Sequence, residues 1–256
     1  MAEGSAVAGE GATLDAVATI FLSFLGEGVG AAPPPTAAEE GAMAGTGVSH
    51  PLFARIYPRI NAFAEAHGCV EHRQELLAGV HGRVIEIGAG LGSNFVHYPP
   101  DVQQVVAVEP EPRLRARAEE AAIEAAVPVE VARAGRAEAL PADDDSFDVA
   151  VFSLVLCTIK DVPAALAEAR RVLAPGGEIR FYEHVRSDDP RFFRLQRIIN
   201  PLWHALGGGC DVTRDTERAI QEAGFTVKEI RRFVFRINGR ANPGSPSIIG
   251  TARPST

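Results

Sequence analysis

Short apolar runs alternate along most of the chain with longer segments whose apolar residues recur at helical spacing. The short runs predict seven strands, over residues 83–88, 104–109, 128–133, 147–154, 177–184, 226–235 and 247–252. Helical patterns cover residues 51–80, 112–125, 162–173 and 214–223. Strands that alternate with helices are joined by right-handed crossovers and form a mainly parallel sheet. The pattern therefore predicts an α/β fold with a doubly wound, seven-stranded sheet.

Two stretches depart from this alternation. The last two predicted strands are separated by a short loop that contains Asn238 and Gly239 and leaves no room for a helix. We therefore expect them to form an antiparallel hairpin at the edge of the sheet. Residues 185–213 carry no such pattern and are expected to be an insertion that contributes to the substrate site.

Residues 1–47 form a segment of different composition, rich in Ala, Gly and Pro. Leu14, Val17, Phe21 and Leu25 recur there at helical spacing, which predicts one amphipathic helix. The segment is either a disordered tail with a transient helix or a helical lid that folds over a bound substrate. The folded domain is expected over residues 48–256.

Composition and charge narrow the class of protein. The formal net charge of −8, without a concentrated basic surface, disfavours nucleic acid and anionic membranes as partners. The three cysteines show no C-x-x-C spacing, so we expect neither a disulfide framework nor a structural zinc site. This cysteine usage fits a reducing cytoplasm. The apolar run at 17–25 is far shorter than the ~20 residues that span a bilayer. These features predict a soluble, cytoplasmic protein without a membrane span.

A glycine turn follows the first predicted strand and precedes a helix. Gly88, Gly90 and Gly92 give the spacing G-x-G-x-G, whereas dinucleotide-binding turns have G-x-G-x-x-G. Ligands of doubly wound sheets bind beyond the carboxyl ends of the strands, and glycines let the backbone approach them closely. Glu86 would repel a pyrophosphate but suits a ligand that carries an ammonium and a sulfonium. The turn therefore disfavours a nicotinamide cofactor.

A second acidic residue, Glu109, ends the next predicted strand about 20 positions after the turn. A carboxylate at this place accepts hydrogen bonds from both ribose hydroxyls of a bound nucleoside. Alternatively, Glu109 begins the following helix, where a carboxylate is also favoured. Its combination with Glu86 favours the ribose role.

Several ordered motifs over residues 82–252 resemble those of the class I S-adenosylmethionine-dependent methyltransferases. They are the glycine turn, the stretch 135–141 with its Leu-Pro, the Phe-Asp that opens the fourth strand at Phe147, and the Pro-Gly-Gly at 175–177. The resemblance implies a Rossmann-like methyltransferase fold and S-adenosylmethionine as cofactor, with S-adenosylhomocysteine as product. It also implies that Ala137 and Glu138 bracket the adenine. Altogether we expect the cofactor to contact Tyr57, Glu86, Gly88, Ala89, Gly90, Asn94, Glu109, Pro110, Ala137, Glu138, Ser153 and Leu154.

Segments 153–159, 181–186 and 200–214 are similar to those of a thiol methyltransferase-like subgroup that acts on small molecules, as is the stretch 94–100. The resemblance implies S-methylation of a thiol in a metabolite or natural product. Animal members of the subgroup carry a hydrophobic N-terminal membrane segment, and here only the short run at 17–25 is available. A membrane location is therefore not expected.

Three side chains near these segments are candidates for catalysis. A thiol of pKa ~8.5 is already partly ionised at neutral pH, whereas a hydroxyl needs a stronger base. His184, His204 and Asp211 are the candidate bases. His184 is predicted at the carboxyl end of the fifth strand, as either a catalytic or a structural histidine. His204 adjoins Trp203 and is either a base or part of a packing pair.

The alternatives from other classes stay open at this point. An O- or C-methyltransferase for a quinone or polyketide-like acceptor would carry the same strand motifs. A non-catalytic cofactor-binding protein is less favoured because Glu86, Gly88, Gly90 and Glu109 are all present. Cys157 is expected to be a small buried apolar side chain, and Cys210 to line the pocket without a covalent role.

Overall fold

The computed structural model describes residues 51–255 of the chain. The predicted N-terminal segment 1–47 and its lid helix lie outside the described residues.

The described chain alternates strands and helices. The strands are β1 (Gly82–Ile87), β2 (Val102–Val108), β3 (Val129–Val131), β4 (Phe147–Ser153), β5 (Leu173–His184), β6 (Phe225–Val234) and β7 (Pro246–Pro254). The α-helices are α1 (Pro51–Ala64), α2 (Val70–Leu77), α3 (Pro112–Ile123), α4 (Val162–Val172), α5 (Pro190–Leu206) and α6 (Thr216–Glu222). A short π-helical turn, Glu65–Cys69, joins α1 to α2, and a 3₁₀ turn spans Phe95–His97.

The seven strands form one sheet in the order β3-β2-β1-β4-β5-β7-β6. Strands β1 to β5 pair in parallel, and β7 pairs antiparallel with both β5 and β6. The predicted doubly wound sheet and its antiparallel hairpin at the edge are therefore confirmed. Within that hairpin, β7 pairs with β5 and β6 forms the edge of the sheet.

The central strands β1 and β4 are buried on both faces, which explains why they are nearly continuous apolar runs. One apolar cluster packs Ile85, Ile87, Phe152 and Phe181 on one face, and the other contains Val84, Val149, Val151 and Tyr182. The buried face of helix α4 packs into the first cluster through Ala165, Leu166, Ala169 and Val172. Its start is fixed by Asp161, whose carboxylate accepts the N–H of Ala164 at 3.0 Å.

The helical pattern predicted over 51–80 is present but interrupted. Within the turn between α1 and α2, Gly68 has φ +105°, a left-handed value that favours glycine. After this change of direction, α2 packs against β5, whereas α1 contacts α3.

The stretch 185–213, predicted as an irregular insertion, contains the 17-residue helix α5. Asp189 caps this helix by accepting the N–H of Arg191 at 2.8 Å. The fully buried Gln196 ties it to the domain, because its amide nitrogen donates to the carbonyls of Val185 and Pro243. The loop after α5 lies beside the loop after β4, where the N–H of Asp211 donates to the carbonyl of Cys157 at 2.8 Å.

Candidate active site

A cavity of about 670 Å³ lies at the carboxyl ends of β1, β2, β4 and β5 and is covered by α1. This volume falls inside the range of roughly 300–1,000 Å³ that is usual for small-molecule sites. One end of the cavity contains the glycine turn and Glu109, and the other contains Cys157, His184 and Cys210. We call these the glycine end and the cysteine end.

The glycine turn forms one wall of the glycine end. The N–H groups of Gly88 and Ala89 donate to the carbonyl of Val108 at 2.8 and 3.2 Å, which holds the turn against β2. Gly88 has φ +73°, and a Cβ added to it would lie 2.2 Å from Cγ2 of Val155. Gly88 and Gly90 both line the cavity, whereas Ala89 is buried behind them.

Glu109 lies beside the glycine turn, lines the cavity and is almost fully buried. Its carboxylate accepts the N–H of Gly90 and the N–H of Glu111, both at 2.8 Å. Burial raises the pKa of Glu109 to about 7, although these two N–H groups lower it. The N-cap of α3 is Glu111, which accepts the N–H of Leu114. Glu109 is therefore not needed as the cap of α3, and its carboxylate oxygens can accept further hydrogen bonds from a ligand in the cavity.

Glu86 and Asn94 lie beneath the glycine turn and do not line the cavity. The carboxylate of Glu86 accepts from the side-chain amide of Asn94 at 2.9 Å and from the hydroxyl of Tyr98 at 2.7 Å. Burial raises the pKa of Glu86 to about 7, against the effect of these bonds. The two residues thus support the turn from behind, and direct contact with the cofactor stays a prediction.

Arg73, on α2, is a buried cation that the sequence analysis did not identify. It lines the cavity and donates to Oδ1 of Asn94 and Oδ1 of Asn61, each at 2.9 Å. Its Nε makes no hydrogen bond within residues 51–255 and lies 3.4 Å from the carboxylate of Glu65. An arginine on a helix with many polar neighbours is typical of a solvated face, so nothing in the local sequence indicated this burial.

The remaining predicted cofactor contacts surround the glycine end. Pro110, Ala137, Glu138, Ser153 and Leu154 all line the cavity. Tyr57 enters from α1 and stacks on Phe53, with ring centroids 4.9 Å apart. The predicted residues that the structure brings to the cavity are thus Tyr57, Gly88, Gly90, Glu109, Pro110, Ala137, Glu138, Ser153 and Leu154.

A second buried carboxylate shapes the loop after β4. Glu183, which is fully buried, accepts the N–H groups of Val155, Leu156 and Cys157 at 3.0, 2.8 and 3.1 Å. Burial raises the pKa of Glu183 to about 7, and the three N–H groups lower it. These three bonds fix the backbone of the loop after β4, and Val155 and Cys157 of this loop line the cavity.

At the cysteine end, His184 stands between two thiols. Its Nδ1 lies 3.5 Å from Sγ of Cys210 and 3.9 Å from Sγ of Cys157, and the two sulfurs are 3.6 Å apart. Contacts with Cys157, and then with His184 and Trp203, hold the pKa of Cys210 well below its usual range. Burial lowers the pKa of His184, but contact with Cys210 and the charge of Glu183 outweigh it, so the net shift is upward.

The other two predicted bases lie away from the cavity wall. Asp211 accepts from Thr213 Oγ1 at 2.6 Å and from the side-chain amide of Asn200 at 3.0 Å, so it fixes the loop after α5. His204 is exposed on the outer face of α5. The structure brings His184 to the cavity but not Asp211 or His204.

Comparisons with known proteins agree with this geometry. The family model described as a methyltransferase domain matches residues 85–181. The chain is 34% identical over 162 residues to the human thiol S-methyltransferase TMT1A, a match that covers 60% of this chain and 65% of that protein. It is 36% identical over 162 residues to the ubiquinone/menaquinone biosynthesis C-methyltransferase UbiE of Dinoroseobacter shibae, covering 59% of this chain and 60% of that one. The chain thus spans less than two thirds of the length of these relatives.

The fold has close parallels among solved structures. The YcgJ protein of Bacillus subtilis superposes with a TM-score of 0.57 at 19% identity, covering 73% of this chain and 99% of that one. Within residues 51–255, no helix is both long and apolar enough to cross a membrane.

Proposed function

The chain carries a class I S-adenosylmethionine-dependent methyltransferase domain related to the thiol S-methyltransferases, and on that premise we propose that it methylates the sulfur of a small thiol. The acceptor would be a thiol of a metabolite or natural product. The single observation that carries the choice of sulfur is the composition of the cysteine end. At that end, two thiols lie next to His184, and all three side chains line the cavity.

The glycine end fits the cofactor. Glu109 has free acceptor capacity for the two ribose hydroxyls, and a buried carboxylate is stabilised by such donors. Ala137 and Glu138 line the place expected for the adenine. The guanidinium of Arg73 faces the same space and would pair with the carboxylate of the amino-acid part. The bound cofactor supplies a methyl group on a sulfonium, ready for in-line displacement.

The chain's own residues position the acceptor and exclude water. The loop held by Glu183 brings Val155 and Cys157 to the wall of the cavity, with Val155 beside Gly88 and Cys157 in the cysteine end. Phe53 on α1 and Trp203 on α5 cover the cysteine end with apolar surface. An acceptor sulfur held there at about 3–3.5 Å from the methyl carbon would be in a reactive position.

A thiol requires less help from a base than the alternative acceptors do. Its pKa of ~8.5 leaves a fraction ionised at neutral pH, and His184 can accept the proton of the remainder. The similarity to a quinone C-methyltransferase supports a carbon acceptor as the second candidate. A carbon or hydroxyl acceptor loses a less acidic proton, and His184 is the base that the cysteine end offers for it.

The proposal is tested with methyl-labelled S-adenosylmethionine and matched acceptors: small aryl and alkyl thiols, the corresponding phenols and alcohols, and a hydroquinone. We expect labelled thioether from the thiols and little label in the oxygen analogues. Transfer to the hydroquinone or the phenols in preference to the thiols would overturn the proposal.

Two histidine variants locate the reaction. His184→Gln is expected to lower kcat/KM for thiols, because it removes the cavity histidine. His204→Gln serves as the matched control, since His204 lies on the exposed face of α5. Equal losses in both variants would contradict the assignment of the cysteine end as the acceptor site.

A further inference from the structure

We propose that Cys157, His184 and Cys210 bind a zinc ion whose fourth coordination position opens into the cavity and receives the sulfur of the acceptor. The binding of zinc stands on the geometry of these three residues alone. The role of the fourth position rests on the function proposed above.

The separations of the three ligand atoms match those around a tetrahedral zinc. With bonds of about 2.3 Å to sulfur and about 2.0–2.1 Å to nitrogen, two sulfur ligands stand about 3.8 Å apart, and sulfur and nitrogen about 3.5 Å apart. The two sulfurs here are 3.6 Å apart, and Nδ1 of His184 lies 3.5 and 3.9 Å from them. All three ligand atoms fall within 4.8 Å of one another. A shift of a few tenths of an ångström would complete the site.

Each ligand is held by the fold. The backbone of Cys157 is fixed by the carboxylate of Glu183, and its carbonyl accepts the N–H of Asp211 at 2.8 Å. That second bond ties the loop after β4 to the loop that carries Cys210. His184 ends β5, where it pairs with Ser247 of β7. The side chain of Trp203 interacts with the sulfur of Cys210 and helps to hold it in place. The three ligands are therefore positioned before any metal binds.

The site has the form of a catalytic zinc centre. Structural zinc sites in proteins use four protein ligands, whereas catalytic sites use three and leave one position to water or substrate. Cys157, His184 and Cys210 all line the cavity, so the missing fourth vertex faces the space assigned to the acceptor. Neutral imidazole and thiolates are the ligands that zinc prefers.

Such a centre would activate a thiol without a base. With zinc bound, His184 acts as a ligand and no longer as the proton acceptor of the metal-free site. On coordination, the acceptor R–SH releases its proton to solvent, because a zinc-bound thiol is deprotonated. The resulting thiolate sulfur forms a bond to the methyl carbon as the bond from that carbon to the sulfonium sulfur breaks. The electron pair of the broken bond stays on the former sulfonium sulfur, which becomes a neutral thioether. The methylated acceptor is also a neutral thioether, a weaker zinc ligand, and so it dissociates.

The first test is the metal content of the untagged, full-length protein, purified under reducing conditions and dialysed against zinc chloride and then metal-free buffer. We expect about one zinc per chain in the wild type and in Cys69→Ser, the matched control, because Cys69 contacts Tyr182 instead of this cluster. Cys157→Ser, Cys210→Ser and His184→Gln are expected to retain less than a tenth of that content. Circular dichroism checks that each variant is folded.

A second measurement keeps the test independent of the variants. Wild-type protein loaded with Co²⁺ should show thiolate-to-cobalt charge-transfer absorption, and addition of a small thiol should change the ligand-field bands as the fourth position fills. Absence of zinc and of the cobalt bands in reduced wild-type protein would overturn the metal site. The metal site would also be overturned if Cys157 and Cys210 formed a disulfide and bound no metal. Full zinc content in the folded cysteine variants would overturn it as well.

Failure of this inference is distinguishable from failure of the proposed function. A protein that methylates thiols but binds no zinc would contradict the metal site alone. A protein that binds zinc through these residues but methylates only carbon or oxygen acceptors would contradict the thiol assignment and the role of the fourth position.

Discussion

Arg73 donates a hydrogen bond of 2.9 Å to the side-chain oxygen of Asn94. The nitrogen of the same amide donates to Glu86, so a cation from α2 and a carboxylate from β1 are joined through one side chain. All three side chains are buried. Because Asn94 follows the glycine turn, this chain of bonds sets the position of the turn relative to the helices that cover it.

We expect Arg73→Lys to destabilise the domain and to weaken cofactor binding. A lysine ammonium cannot reproduce the planar guanidinium that reaches Asn94 and Asn61 together. Losing one charged hydrogen bond costs about 1.5–3 kcal/mol. The free energy of unfolding in urea and the affinity for S-adenosylhomocysteine both report the change. Arg55→Lys, on the exposed face of α1, is the control, and an equal effect there would contradict the special role of Arg73.

Glu109→Ala is expected to weaken binding of S-adenosylhomocysteine by about 1–3 kcal/mol, since two charge-assisted hydrogen bonds to the ribose would be lost. Isothermal titration calorimetry measures this directly. Glu119→Ala removes an exposed carboxylate from α3 and should leave the affinity unchanged. Wild-type affinity in Glu109→Ala would show that the ribose is bound elsewhere.

Gly88→Ala and Gly79→Ala separate two effects of a glycine turn. Both residues have φ +73°, and alanine in this left-handed region costs about 1–2 kcal/mol. At Gly79 the added Cβ meets nothing within 4 Å, whereas at Gly88 it meets Val155 at 2.2 Å. We therefore expect Gly88→Ala to cost a further ~1–3 kcal/mol from overpacking. Equal melting temperatures for the two variants would mean that Val155 moves freely.

The pH dependence of stability is tested at Glu86. Its pKa is about 7 in the folded protein against 4.5 as the ordinary value, so the folded state binds more protons between these limits. The contribution of Glu86 to stability therefore falls as the pH rises from about 4.5 to about 7. Glu86→Gln does not titrate, so its stability relative to the wild type should increase over this window. Denaturant unfolding at pH 5 and pH 8 measures the difference. A difference that stays constant with pH would contradict the raised pKa.

The sequence predicted the sheet well because both faces of it are covered. Burial on two sides demands apolar residues at almost every position of β1 and β4, and this pattern is visible without a structure. The glycine turn and Glu109 were also found, because the fold requires glycine and a carboxylate at fixed distances along the chain.

Helix α5 was missed for a physical reason. Pro190 and Pro201 lie in the stretch 185–213, and proline disfavours helical conformation in the residue before it. The structure accommodates Pro201 near the end of the helix, and Asp189 with Pro190 forms the helix start. Buried polar contacts of Gln196 then stabilise the helix on the domain, and such long-range bonds leave no periodic signal.

The cysteine end was only partly predictable. His184 was identified because it ends a strand on the side where ligands bind. The cluster it forms with Cys157 and Cys210 joins residues up to 53 positions apart. Rules based on local cysteine spacing detect pairs a few residues apart, so this arrangement emerges only when the loops after β4 and α5 are placed side by side.

The three bonds accepted by Glu183 have a consequence for substitutions in the loop after β4. Glu183 holds the loop after β4 through backbone N–H groups, which every residue except proline possesses. Neighbouring side chains that line the cavity, such as Thr158 and Ile159, can therefore be substituted without removing these bonds. Such substitutions would change the shape of the cavity, while Glu183 keeps the backbone of the loop in place.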